Sequence, residues 1–227
     1  MPQYRTINKD FFKKWSPEMA YVLGYIAADG AITIGKRGNH YLDIVSIDSA
    51  LLHQVRRVLG SNHQISKRKR NSRWNVVNRL QIGNKKMVED LIAIGIVPNK
   101  TKRLVMPWVP QSYFGDFLRG YFDGDGNVSY VRFSRRDRNG GIGQHMRILF
   151  TSSSEVMLKK LQEELEEILG IVGKLRKDKN WYRLYYYRKN DIATLYQFMY
   201  GHQPTLYLQR KFVYFKDALK KINNVGR

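Results

Sequence analysis

The segments VLGYIAADGAI (residues 22–32) and LRGYFDGDGNV (residues 118–128) share one shape: an apolar run broken by glycine and ended by Asp-Gly. One lies in each half of a 227-residue chain. A chain made of two like units tends to pair them across a pseudo-two-fold axis. Small residues recur every fourth position, as Ala20, Gly24 and Ala28 in the first segment and Gly120 and Gly124 in the second. Positions i and i+4 share a helix face. A helical glycine costs roughly 0.5–1 kcal/mol against alanine, and close approach of a second backbone supplies the offset. The pattern therefore predicts two helices packed side by side at the centre of the molecule.

The elements around the repeat fall in one order. In the first half, Ser16-Pro17-Glu18 starts a helix that runs to about Ala28. Strands are predicted over 31–36 and 41–47, a helix over 48–59, strands over 63–70 and 73–82, and a helix over 84–94 that stops at Gly95. In the second half a helix over 113–124 is followed by strands over 127–134 and 144–151, a helix over 155–169, strands over 173–177 and 181–187, and helices over 191–199 and 208–222. The fold class is α+β: two pseudo-symmetric α-β-β-α-β-β-α halves, residues 1–107 and 108–227, joined at Pro107–Pro110. The run QEELEE at 162–167 is read as a solvated helix face turned away from any polyanion.

Packing of the two helices would bring Asp29 and Asp125 together. Each aspartate is expected at a helix C-terminus, with Gly30 and Gly126 ending the helices in a left-handed conformation. A carboxylate there meets the negative end of the helix dipole, and two such ends side by side repel further. A cation between or beside them resolves the conflict. Mg²⁺ fits, as a hard ion that takes one or two carboxylates, keeps waters and binds substrate phosphate, and Mn²⁺ or Ca²⁺ is expected to substitute for binding.

These paired motifs, VLGYIAADG at 22–30 and LRGYFDGDG at 118–126, resemble those of the LAGLIDADG homing endonucleases in their two-motif, single-chain form. The resemblance spans about 17–221 and implies a monomeric saddle, with antiparallel sheets in the DNA major groove and the motif helices at the interface. It implies that Asp29 and Asp125, the last acids of each motif, bind the catalytic metal, with the backbone carbonyls of Ala28 and Gly124 as further ligands. It also implies that Lys100 and Lys211 are active-site lysines facing the scissile phosphates; as residues alone, each reads equally well as a solvated surface lysine. The expected reaction is metal-assisted hydrolysis of a phosphodiester in each strand, leaving short 3′ overhangs. The family's acid two positions before the ligand is present as Asp123 but replaced by Ala27 in the first motif. That position is not a usual ligand, so cleavage remains the expectation.

Lys and Arg number 40 against 19 Asp and Glu, a formal charge of +21, which attracts polyanions, nucleic acid first among them. Polar side chains alternate along the strands at Lys67, Arg68, Lys69, Arg70, Arg73, Asn75, Arg79 and Gln81 in the first half, and at Arg132, Arg147, Lys174, Arg176, Arg183, Tyr185 and Tyr187 in the second. Arg with guanine and Gln or Asn with adenine are natural bidentate pairs, while the tyrosines are expected to pack. Strands of about eight residues reach about 25 Å, so two such sheets would cover roughly 20 base pairs. The halves differ at these positions, which predicts an asymmetric double-stranded target.

Other classes fail on specific residues. No cysteine is present, which removes disulfides, zinc fingers and thiol catalysis. The five histidines have no metal-ligand spacing, DGDGNV has Val128 where a calcium loop needs Gly, and NGGIG lacks a P-loop lysine. There is no secretory h-region and no apolar run of about 18 residues, so an intracellular protein of cytoplasm or organelle matrix with no membrane span is expected. A chain opening at Met1 without a fused splicing segment fits an intron-borne or free-standing gene. The competing readings are an RNA-splicing maturase acting on intron RNA, a DNA-binding protein that does not cut, and a basic ribosome-associated protein. The pair Asp29 and Asp125 argues against a pure binder.

Overall fold

The computed structural model describes residues 5–69, 76–134 and 142–223. Its first half runs α1 (Pro17–Asp29), β1 (Gly30–Ile34), β2 (His40–Ser46), α2 (Ser49–Val58), β3 (Ile65–Arg68), β4 (Val77–Gly83) and α3 (Lys85–Ile94). Its second half runs α4 (Gln111–Asp125), β5 (Gly126–Ser134), β6 (Ile142–Ser152), α5 (Glu155–Leu169), β7 (Lys174–Asp178), β8 (Trp181–Tyr186), α6 (Lys189–Tyr200) and α7 (Gln209–Asn223). The second half thus carries one helix more than the first, where a single 3₁₀ turn at Lys100–Lys102 stands instead. Local signals set the boundaries. The Ser16 hydroxyl accepts from the Met19 amide at 3.1 Å ahead of Pro17, and Asn84 and Ser154 cap α3 and α5 in the same way. Gly95 (φ 111°) and Gly170 (φ 66°) end those two helices in the left-handed region.

Each half holds one antiparallel four-stranded sheet, in the orders β1-β2-β4-β3 and β5-β6-β8-β7. Among the described residues the helices pack against the sheets, and Leu42, Ile44, Leu80 and Ile82 of the first and Ile148, Phe150, Leu184 and Tyr186 of the second form the buried, helix-facing side. The alternate residues form an open face on each sheet. Residue pairing fixes who stands there: Asp43 with Gln81, Val45 with Arg79 and Ser66 with Arg79 in the first sheet, Ser129 with Arg147, Leu149 with Tyr185 and Arg176 with Arg183 in the second. Two expected nucleic-acid contacts fall on the other side. Lys67 pairs with the buried Asn78, and Arg132 shares a face with Val128, so both point to the helix side. Consecutive strand residues such as Lys67 and Arg68 cannot both face one way.

α1 and α4 cross at the centre. A Cβ on Gly24 would lie 2.1 Å from the Phe117 carbonyl oxygen, and one on Gly120 would lie 2.0 Å from that of Tyr21. The small faces therefore let the two backbones touch, as the repeat predicts. On α5, Lys160 pairs with Glu163 and Glu164 while Leu165 is buried, so the acidic run is a solvated face on the helix side of its sheet. Among the described residues no helix is long and apolar enough to cross a membrane.

Candidate active site

α1 and α4 end on Asp29 and Asp125, and each chain then turns directly into the first strand of its sheet. The glycines that follow are not left-handed. Gly30 has φ −82° and ψ 155°, and Gly126 φ −92° and ψ 160°, which any residue adopts. Space explains them: a Cβ on Gly30 would lie 2.8 Å from the Ile26 carbonyl oxygen, and one on Gly126 2.6 Å from that of Phe122. The helix-to-strand corner is too tight for a side chain, and that tightness sets the aspartate at the lip of the open face.

The two helix ends meet. A Cβ on Gly124 would touch the Ala28 Cβ at 2.3 Å and the Asp29 Oδ2 at 3.3 Å, so the Asp29 carboxylate lies against the residue next to Asp125. Asp29 keeps an exposed edge and Asp125 is half-buried, as expected of groups on the floor of a cleft walled by protein but open above. Burial, and then the charge of Asp125, push the Asp29 carboxyl up to about 6, against the pull of Lys211 and Lys100. Burial likewise raises Asp125, with Lys100 and Lys211 opposing. A groove of about 280 Å³ opens beside Asp29, lined in part by Tyr25, Ser46, Asp48, Asp123 and Arg210.

Lys100 and Lys211 are not solvated surface groups. Lys100 is 8% exposed, and its Nζ donates to the carbonyls of Ala27 (2.7 Å) and Ala28 (3.1 Å). The Lys211 Nζ reaches the carbonyls of Phe122 (2.7 Å), Asp123 (2.9 Å), Gly124 (3.3 Å) and Gly126 (2.6 Å). Each ammonium thus caps the negative end of one motif helix and offsets the dipole that disfavours its aspartate. Burial lowers both lysines, Lys211 to about 8. The carbonyls of Ala28 and Gly124, expected as metal ligands, are already hydrogen-bonded to these lysines.

Asp123 has a different task from Asp125. It is 3% exposed; its Oδ2 accepts from the Tyr21 hydroxyl and the Leu208 amide, both at 2.7 Å, joining α1, α4 and the start of α7. Its Oδ1 is buried without a hydrogen-bond partner among the described residues. That contact sets the first turn of α7, which carries Lys211 to the site. In the first motif the matching Ala27 is 1% exposed and makes its polar contact through its carbonyl, to Lys100, so no acid is needed there. Two further residues fix the site. Arg210 grips Asp48 of the other half through three contacts of 2.9–3.2 Å. Arg119, 3% exposed, donates to the carbonyls of Leu206 (2.8 Å) and Met199 (2.7 Å). Sequence reasoning missed both: a lone arginine inside an apolar motif is a signal that could have found Arg119, and nothing local marks Arg210.

The sequence model of a LAGLIDADG-like domain matches residues 16–94 and again residues 115–199. The chain belongs to the LAGLIDADG family. Each match contains one motif segment with its aspartate, 22–30 in the first and 118–126 in the second, so the two-motif form is the one present. Comparison with curated proteins found no match. Among solved structures, the I-LtrWI LAGLIDADG homing endonuclease bound to target DNA aligns with TM-score 0.65 at 11% identity, over 96% of this chain and 92% of that one. I-SmaMI bound to uncleaved DNA in the presence of calcium ions gives 0.64 at 14%, over 91% and 90%. I-AabMI bound to uncleaved DNA gives 0.64 at 14%, over 92% of each chain. At such identities the likeness is one of fold.

The open faces of this LAGLIDADG chain carry most of the expected contacts. Arg68, Arg79 and Gln81 stand on the first sheet, with the exposed Lys69 just past β3. Arg147, Lys174, Arg176, Arg183 and Tyr185 stand on the second. Tyr185 and Tyr187 stack at 5.5 Å, and the Arg147 guanidinium lies 5.9 Å from the Tyr185 ring centroid. Arg70, Arg73 and Asn75 lie outside the described residues.

Proposed function

We propose that the chain is a monomeric, site-specific DNA endonuclease that hydrolyses both strands of a long asymmetric duplex target with a divalent metal ion, Mg²⁺ by preference. The observation that carries this reading is the meeting of Asp29 and Asp125 at the joined ends of α1 and α4, between two open faces rich in cationic side chains. The relatives of like fold, crystallised with DNA and in one case with calcium ions, support it.

The donors fit a hard divalent ion. They are the carboxylate oxygens of Asp29 and Asp125, with no nitrogen or sulfur among them; among the described residues no group of three or more His, Cys, Asp or Glu could hold a metal, so water and phosphate would supply the other ligands. A site with two carboxylates suits an ion that keeps waters and takes the remaining ligands from a phosphate. When bound, the ion supplies a nucleophilic water and neutralises charge on the scissile phosphodiester. Asp29 and Asp125 would hold it. Lys100 and Lys211, locked on helix-end carbonyls, keep positive charge beside both carboxylates and the incoming phosphate. Arg210 and Asp48 tie the halves so that the two aspartates stay in register. The family resemblance implies that the two cuts are offset across the minor groove and leave short 3′ overhangs.

The test is incubation with a randomised duplex library and Mg²⁺, followed by sequencing of the cut ends. One asymmetric site of about 20 base pairs with staggered ends is expected. Retention of duplexes without cutting in either Mg²⁺ or Mn²⁺ would instead favour a binder or a maturase on the same scaffold. Binding should also weaken steeply with salt: an interface neutralising six or more phosphates loses about a thousandfold or more between 50 and 200 mM. A flat response, measured by fluorescence anisotropy, contradicts the open faces as phosphate-tracking surfaces.

A further inference from the structure

We propose that Asp43 is a positioning residue that fixes Arg79 and Gln81 for base readout on the first sheet, a guanine under Arg79 and an adenine under Gln81. This rests on the sheets lying in the DNA major groove. Asp43 is an acid on a surface meant for a polyanion, where an idle carboxylate would only repel. It is far from idle. The Arg79 Nε donates to Asp43 Oδ1 at 2.5 Å, and its second terminal nitrogen pairs with the same oxygen. Gln81 Nε2 donates to Asp43 Oδ2 at 3.4 Å. The Arg79 and Asp43 side chains keep only 17% and 12% of their surface exposed, far less than the open-face pair of Arg183 and Asp178 at 38% and 47%.

The geometry leaves the reading edges free. Arg79 meets Asp43 side-on, through Nε and one terminal nitrogen, so its end-on edge still presents two donors. Nη1 has no partner among the described residues. That end-on edge is the one that spans guanine O6 and N7. Gln81 spends one N–H on Asp43 and keeps its other N–H and its carbonyl, the pair that adenine N7 and N6 require. The two residues are neighbours on one strand face, roughly 7 Å apart, which is about two base-pair steps. Register explains why one carboxylate serves both: Asp43 lies directly opposite Gln81 and diagonal to Arg79. A guanidinium and a carboxamide held before the encounter lose less side-chain freedom on binding.

Full-length wild type, Asp43→Ala, Asp43→Asn and Arg79→Ala are compared by sequencing the duplexes each retains from a randomised library in Ca²⁺. Wild type should prefer guanine at one position and adenine about two steps away. Asp43→Ala should lower both preferences about tenfold, while total duplex retention rises because a negative charge has left the surface. Asp43→Asn, which keeps the shape and one acceptor, should fall between. Arg79→Ala should lose the guanine preference alone. Unchanged preferences in Asp43→Ala and Asp43→Asn overturn the positioning role, as does a change confined to some third position, where Asp43 itself would be the reader. A wild type that selects no sequence at all overturns the nuclease reading and this proposal with it.

Discussion

Replacing Asp29 or Asp125 by Asn should lower strand cleavage by about a thousandfold or more while duplex binding stays within about threefold. Asparagine keeps the size and one carbonyl oxygen but removes the charge that would hold the proposed divalent ion. A loss of about 4 kcal/mol of transition-state stabilisation is a thousandfold in rate. The two carboxylates lie at touching helix ends, and both feel Lys100 and Lys211. Either substitution therefore reaches the whole centre. Binding should survive because it comes from the open faces, and removal of a negative charge near phosphates does not weaken it. Folding should survive as well. Two carboxylates at the negative ends of adjacent helices repel, so neutralising one leaves the unfolding temperature equal or higher. Cleavage rates, anisotropy and thermal unfolding on the same samples separate these effects. A variant that cuts at the normal rate removes that aspartate from the centre; one that unfolds early would have lost activity for a structural reason.

The second large effect concerns the helix crossing. Gly120→Ala and Gly24→Ala should each destabilise the fold by about 3 kcal/mol or more, because the added carbon would sit 2.0 or 2.1 Å from a backbone carbonyl of the facing helix. Backbone cannot swing aside as a flexible side chain does, so the helices must part and neighbouring contacts loosen. In a chain of this size each kcal/mol moves the unfolding temperature by about 2–4 °C, so a fall of roughly 6–12 °C is expected. Gly170→Ala provides the contrast: its φ is +66° but nothing lies within 4 Å of the new carbon, and a cost of about 1 kcal/mol follows from backbone conformation alone. Calorimetry that ranks Gly170→Ala above the two crossing glycines would contradict a centre built on backbone contact.

Much of this was legible from residue order because it depends on short-range periodicity. The spacing Ala20–Gly24–Ala28 against Gly120–Gly124 announced the crossing, Asp-Gly twice announced the paired acids, and alternating strands announced two half-buried sheets. What stayed hidden depends on which segments meet. Tyr21 finds Asp123 102 positions along the chain, and Arg210 finds Asp48 162 positions away. No local pattern encodes either distance. The faces of Lys67 and Arg132 depend on strand register: Lys67 lies in a run where every position is polar, and Arg132 lies between Val131 and Phe133, apolar residues that are themselves exposed on the open face, so neither pattern reveals the side. Gly30 and Gly126 were rightly marked as special, but for the wrong reason. They sit in ordinary extended backbone and are small because a corner leaves no room. The lysines were ambiguous for a related reason: only the folded helix ends show that Lys100 and Lys211 each have carbonyls to cap.

The most direct measurement is anomalous diffraction from crystals of the full chain bound to its selected duplex in Mn²⁺. The predicted result is manganese density at the junction of α1 and α4, within about 2.0–2.6 Å of carboxylate oxygens of both Asp29 and Asp125 and beside a phosphate of the duplex. Density elsewhere, or a duplex seated with metal bound and neither aspartate coordinated, would contradict the assignment of this junction as the catalytic centre.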